Sequence, residues 1–198
     1  MKSPSDLARG WSRPLLLPVA RLFSHIGLGP NAISIIGLAA YGATGVMIGL
    51  GSLFWAGIML AVFGPLDAVD GLVARENGMV SRFGAFLDSA VDRYAEFFLF
   101  VGLMIHTSSD TDGWGWWAPL LTLSAMSGSL LVSYTRARAE ALGFTCNVGL
   151  LTRFERILIL VVGFIFDLIY PMLIILAVFT HATAIQRIIH VYRQKDAH

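Results

Sequence analysis

The chain has a single cysteine, Cys146, so it can close no disulfide within itself and supply no cysteine-rich zinc site. Charge is scarce too: only 14% of its 198 residues are Asp, Glu, Lys or Arg, against roughly 25% in an average soluble domain. The net charge of +1 says little alone, and no nucleic-acid partner is expected. Internal repeats and low-complexity tracts are missing as well. What dominates is apolar: 56% of the residues are hydrophobic. They fall in blocks of about 20 separated by short polar joints, the length a helix needs to cross roughly 30 Å of hydrocarbon.

These blocks predict an all-α, polytopic membrane protein with six transmembrane helices, over residues 31–50, 52–75, 82–106, 115–138, 154–170 and 171–190. The joints GLGS, RENGMVS, HTSSDTDG and FTCNVG read as turns, and Pro171 in DLIYP marks a break between the last two spans. Residues 1–30, with a basic start and an apolar run interrupted by Pro18 and Arg21, read as an amphipathic juxtamembrane segment ahead of one domain over 31–198. Lysine and arginine gather at the termini and at the second and fourth joints, while the third joint carries Asp110 and Asp112. Under the positive-inside rule both termini and the charged joints face the cytoplasm of a prokaryotic membrane, and Trp114, Trp116 and Trp117 form an interfacial girdle on the other side.

Against this apolar background, DAVDGLVARENGMVSRFGAFLDSAVD (residues 67–92) carries four aspartates. Asp67 and Asp70 are three apart on the second predicted helix, and Asp88 and Asp92 four apart on the third, spacings that put each pair on one helix face. A turn at Gly78 would make the two helices antiparallel neighbours and bring the pairs together. Carboxylates so close repel one another, and one or two hard divalent cations would offset both their charge and their desolvation. Oxygen ligands without histidine favour Mg²⁺ or Mn²⁺ over zinc. Gly71 and Gly84 either clear space on the acidic face or pack helices, and Pro65 interrupts the helix just before Asp67.

The same stretch resembles the signature of the CDP-alcohol phosphotransferase family: Asp67, Asp70-Gly71, Ala74-Arg75, Gly84, Asp88 and Asp92 stand at each fixed interval of that pattern. The resemblance extends over most of the chain, from GLGPN at 27–31 to the basic region of the fourth and fifth spans. It implies a membrane homodimer that moves a phosphatidyl-type group from a CDP-linked lipid to an alcohol and releases CMP. Asp67, Asp70 and Asp88 would bind one metal, and Asp67, Asp88 and Asp92 would surround a second. The CDP-lipid set would be Asn31, Asp67, Asp70, Gly71, Ala74, Arg75, Gly84 and Asp88, with Asp92 as general base beside Asp88.

A second constellation, SYTRARAEALG followed by TRFER, resembles the phosphatidylinositol-phosphate synthase branch, whose acceptor is myo-inositol 1-phosphate. Carried over by motif, Ser133, Arg136, Arg138, Arg153, Arg156 and Arg187 would hold the acceptor phosphate through charge-assisted bonds. Two positions depart from that branch: Arg136 stands where lysine is common, and Phe154 where proline is, a change that would alter the helix start and shift Arg153. Glycerol 3-phosphate is the competing acceptor, and an ether-lipid donor of archaeal type the competing tail. A divalent-cation transporter would use the aspartates but has no need of Gly71, Ala74, Arg75 and Gly84 at these intervals. A non-catalytic scaffold would have no need of the four aspartates.

Overall fold

The computed structural model describes residues 16–109 and 113–194. The start of the N-terminal segment, Asp110, Asp112 and Lys195 lie outside the described residues. The chain is all helical: a stretch over residues 16–25 (α1) precedes α2 (Pro30–Gly49), α3 (Leu53–Phe63), α4 (Leu66–Glu76), α5 (Arg82–Ser108), α6 (Trp117–Ala141), α7 (Arg153–Ile165) and α8 (Ile169–Tyr192).

The six-span expectation is not met. Among the described residues only three stretches, Pro30–Gly49, Leu53–Glu76 and Ile169–Tyr192, are long and apolar enough to cross a membrane by length and composition. The physical reasons differ from helix to helix. With 13 residues, α7 rises only about 20 Å, short of the hydrocarbon thickness. The first 15 residues of α5 carry Asp88, Asp92, Arg93 and Glu96, and α6 is diluted by Ser124, Ser127, Ser129 and Ser133. The helix limits themselves lie near the expected ones, with two changes. The second stretch is interrupted after Phe63, where Pro65 becomes the residue that caps α4. The last break falls at residues 166–168, where Asp167 adopts a φ of 53°, and Pro171 sits harmlessly in the first turn of α8.

The packing is built around α2 and α8. Helix α2 lies against α3, α4 and α5, α8 against α6 and α7, and α3 against α7. A core of Ile48, Leu60, Leu99, Phe100, Phe164 and Leu173 joins these layers. A smaller cluster seats α1 on the site helix, with Ala20 buried beside Ile33, Val69, Leu72 and Val73. The Asn77 side-chain amide donates to Ser24 Oγ at 3.0 Å and fastens α1 to the end of α4. At the far end of the bundle Trp114 stacks on Tyr170 at 4.5 Å and Trp116 on Trp117 at 3.9 Å, with all three tryptophans at least partly exposed.

Close helix approach rests on glycines other than the two singled out from the sequence. A Cβ on Gly102 would overlap the Gly45 carbonyl oxygen, and one on Gly45 would overlap that of Phe98. At Gly71 a Cβ would meet only the Arg75 guanidinium, at ordinary contact distances from 3.5 Å, and at Gly84 only Ser81 Oγ and Asn31 Oδ1. Gly102→Ala is therefore expected to destabilise the fold by about 1–3 kcal/mol, as overpacking does, seen as a lower thermal midpoint in detergent. An unchanged midpoint would refute the close crossing of α2 and α5.

Candidate active site

Four helices build the acidic site. Pro65 starts α4 and sets Asp67 and Asp70 in its first two turns. Gly78, with a φ of 66°, turns the chain, and Ser81 caps α5 by accepting from Gly84 N at 3.0 Å, which fixes the register of Asp88 and Asp92. Helix α2, which packs on both α4 and α5, holds the two acidic segments together, rather than an extended contact between those helices as the hairpin reading expected.

Asp67, Asp70 and Asp88 each offer a carboxylate oxygen within 4.8 Å of the others. Burial, then the Asp67 carboxylate, pushes the Asp88 carboxyl above its usual range. Asp70 is held by Ser34 of α2, whose hydroxyl donates to Oδ2 at 2.5 Å. Nothing in the sequence motif pointed to Ser34. Three oxygens converging at this range, one of them oriented by a hydroxyl, fit a hard divalent cation.

Asp92 lies beside that trio, next to the Asp67 carboxylate. Its Oδ1 lies 2.7 Å from Nη1 of Arg153, and the same guanidinium group pairs with Asp67. Arg153, expected in the acceptor pocket, is thus found at the acidic cluster. Its position comes from the start of α7, where Thr152 N donates to Glu155 Oε2 at 2.9 Å in a capping box. Phe154, at the second position of α7, is 50% exposed and the capping box forms beside it.

The CDP-lipid residues of the motif line the same region. Asn31 Oδ1 lies 3.7 Å from where a Gly84 Cβ would stand, so the two face each other across α2 and α5. Arg75 folds its guanidinium back over Gly71, and Ala74 is half-buried beside them. A small cavity beside the acids is lined by Ser34, Tyr41, Asp67, Asp70 and Arg153, among others.

The other basic residues occupy distinct settings. Arg187 is buried and donates from Nε to Val148 O at 2.9 Å and from Nη1 to Val132 O, next to Ser133. Arg136 and Arg156 are close enough to Arg187 to interact with it electrostatically, so three cations share one neighbourhood. Arg136 also pairs with Glu140 at 2.7 Å, while Arg138 is exposed. Arg156 pairs at 2.5 Å with Glu96, an acid that the motif reading passed over. The loop between α6 and α7 is strapped to α8 and the residues just after it: Gln194 accepts from Thr145 N at 3.1 Å and donates to Thr145 O at 2.8 Å, and Thr183 Oγ1 accepts from Leu151 N at 3.1 Å.

Comparison with known proteins converges on one family. Residues 28–186 match the family model described as CDP-alcohol phosphatidyltransferase. The chain is 36% identical to the archaetidylinositol phosphate synthase of Methanothermobacter thermautotrophicus, over 89% of this chain and 92% of that one. It is 37% identical to the phosphatidylinositol phosphate synthase of Mycobacteroides abscessus, over 76% of this chain and 68% of that one. Among solved structures, the phosphatidylinositol phosphate synthase of Mycobacterium tuberculosis with CDP-DAG bound superposes with a TM-score of 0.83 at 30% identity, over 90% and 94% of the two chains. The same enzyme in complex with manganese and citrate superposes with a TM-score of 0.81 at 31% identity, over 89% and 88%.

Proposed function

Because the chain belongs to the CDP-alcohol phosphatidyltransferase family, we propose that it transfers a phosphatidyl-type group from a CDP-linked lipid to myo-inositol 1-phosphate, giving a phosphatidylinositol phosphate and CMP. The carrying observation is the convergence of Asp67, Asp70 and Asp88 at metal-ligand range within a fold that superposes on a CDP-DAG-bound relative. The relatives named above differ in their lipid, archaetidyl or phosphatidyl, yet share the inositol phosphate. That common acceptor favours inositol phosphate over glycerol 3-phosphate, while Arg136, Arg156 and Arg187 in one neighbourhood suit the phosphate that either carries.

Asp67, Asp70 and Asp88 would hold a divalent metal, which would neutralise charge on the diphosphate and stabilise the departing CMP oxygen. We assign it to Mg²⁺ or Mn²⁺, two ions per subunit: Asp67, Asp70 and Asp88 would hold one, and Asp67, Asp88 and Asp92 would hold the second. Asn31, Gly71, Ala74, Arg75 and Gly84 bind the CDP-lipid, and Arg75 offers its guanidinium fork to phosphate. The acceptor hydroxyl oxygen attacks the lipid-proximal phosphorus as the bond from that phosphorus to CMP breaks, and its proton passes to Asp92. Ser133, Arg136, Arg138, Arg156 and Arg187 hold the acceptor phosphate, and Arg153 stands between the two sites.

The chain is membrane-associated, with residues 1–30 as a juxtamembrane segment and 31–198 as the transferase domain, working as a homodimer. We place the acidic site on the cytoplasmic side of a prokaryotic membrane by its surrounding arginines. Both described ends of the chain join that side of the fold, α1 through Asn77 and the end of α8 through Thr145, which supports cytoplasmic termini without any count of crossings.

An acceptor panel tests the assignment. Purified protein with one CDP-lipid is expected to show its highest kcat/KM with inositol phosphate, against glycerol 3-phosphate, free inositol and serine. Mass spectrometry showing only a glycerol phosphate lipid would overturn the acceptor and leave the family standing.

A further inference from the structure

Two arginines on α7 face three acids on α5. Arg153 and Arg156 are three residues apart, and Asp88, Asp92 and Glu96 follow one another at four-residue steps, so each set forms one helix face. Arg153 goes to Asp92 and Asp67, and Arg156 goes one turn deeper to Glu96. The deeper pair is nearly sealed, with side chains 3% and 6% exposed. Arg156 keeps a second feature: its Nε is buried and has no hydrogen-bond partner among the described residues.

We infer that Glu96 is the positioning residue for Arg156: it holds the guanidinium by one edge and leaves the Nε edge for the phosphate of the acceptor. This rests on the acceptor assignment above. A buried guanidinium with no acid beside it would be strongly disfavoured. It would also be drawn toward the nearby carboxylates, as Arg153 is, and pushed by Arg187. Glu96 removes both outcomes, because it neutralises Arg156 one helical turn beyond Asp92 and fixes one rotamer. Burying an acid that touches no substrate has its explanation in that geometry. The alternative, a purely structural pair, gives no reason for a donor left unpaired inside the protein.

Glu96→Gln keeps size and removes the charge. It is expected to raise the KM for inositol phosphate at least tenfold, with the KM for CDP-lipid and the Mn²⁺ affinity measured by electron paramagnetic resonance changed less than about threefold. In the Arg156→Ala background the same change is expected to add less than twofold, because Glu96 acts through Arg156. Glu96→Asp, which keeps the charge one carbon farther away, is expected to give an intermediate acceptor KM, and it carries the test if Glu96→Gln does not fold. Equal increases in both KM values, or full additivity with Arg156→Ala, would overturn the inference. Wild-type protein inactive with inositol phosphate would instead refute the acceptor assignment, so the two failures are distinct.

Discussion

Stripping divalent metal from the protein is expected to lower CMP release by about a thousandfold or more, and Mg²⁺ or Mn²⁺ to restore it. The expectation follows from the site's electrostatics. Asp67, Asp70 and Asp88 bring oxygens within 4.8 Å of one another, and burial already pushes Asp88 toward protonation. A CDP-lipid adds its own negative diphosphate to that neighbourhood, so the donor cannot settle there without added positive charge. Asp70→Ala should reproduce the loss, since this buried acid is the one oriented by Ser34, and Mn²⁺ binding should fall with activity. Wild-type turnover in protein shown by elemental analysis to be metal-free would refute the role given to the three carboxylates.

Asp92→Asn is expected to lower kcat by about a hundredfold to ten-thousandfold, the range for loss of a positioned general base. The amide keeps the size of Asp92 beside Arg153, so CDP-lipid affinity should stay within about threefold of wild type. Near-normal kcat would remove Asp92 from proton transfer. Lost kcat with unchanged Mn²⁺ affinity would mark Asp92 as the base, whereas a collapse of Mn²⁺ affinity would trace the loss to its place at the second ion.

Much of this site was legible because its residues sit close together in sequence. The interval from Asp67 to Asp92 spans nearly all of α4, one turn and the start of α5, so local periodicity puts the acids on usable faces. The aspartates therefore needed little tertiary information. Arg153 and Glu96 needed a great deal. Arg153 is 86 residues from Asp67, and Arg156 is 60 from Glu96, and no periodicity connects partners so distant. A local signal was nevertheless present in TRFER: Thr152 and Glu155 spell a capping box, which sets where α7 begins whatever residue stands at 154. Membrane crossing was misread for a different reason. Blocks of about 20 residues satisfy the length criterion, but length counts for little where acids, arginines and serines interrupt the apolar surface, as in α5 and α6.

The strap between Gln194 and Thr145 has a consequence for the order in which a nascent chain assembles. Its partners are 49 residues apart, and Arg187 reaches back 39 residues to Val148. The elements that carry the aspartates, α2, α4 and α5, are all translated before α6. The loop between α6 and α7 can be fastened only when the last turn of α8 has been made. Synthesis therefore delivers the carboxylate half of the centre early and the guanidinium half late, with α8 as the closing member.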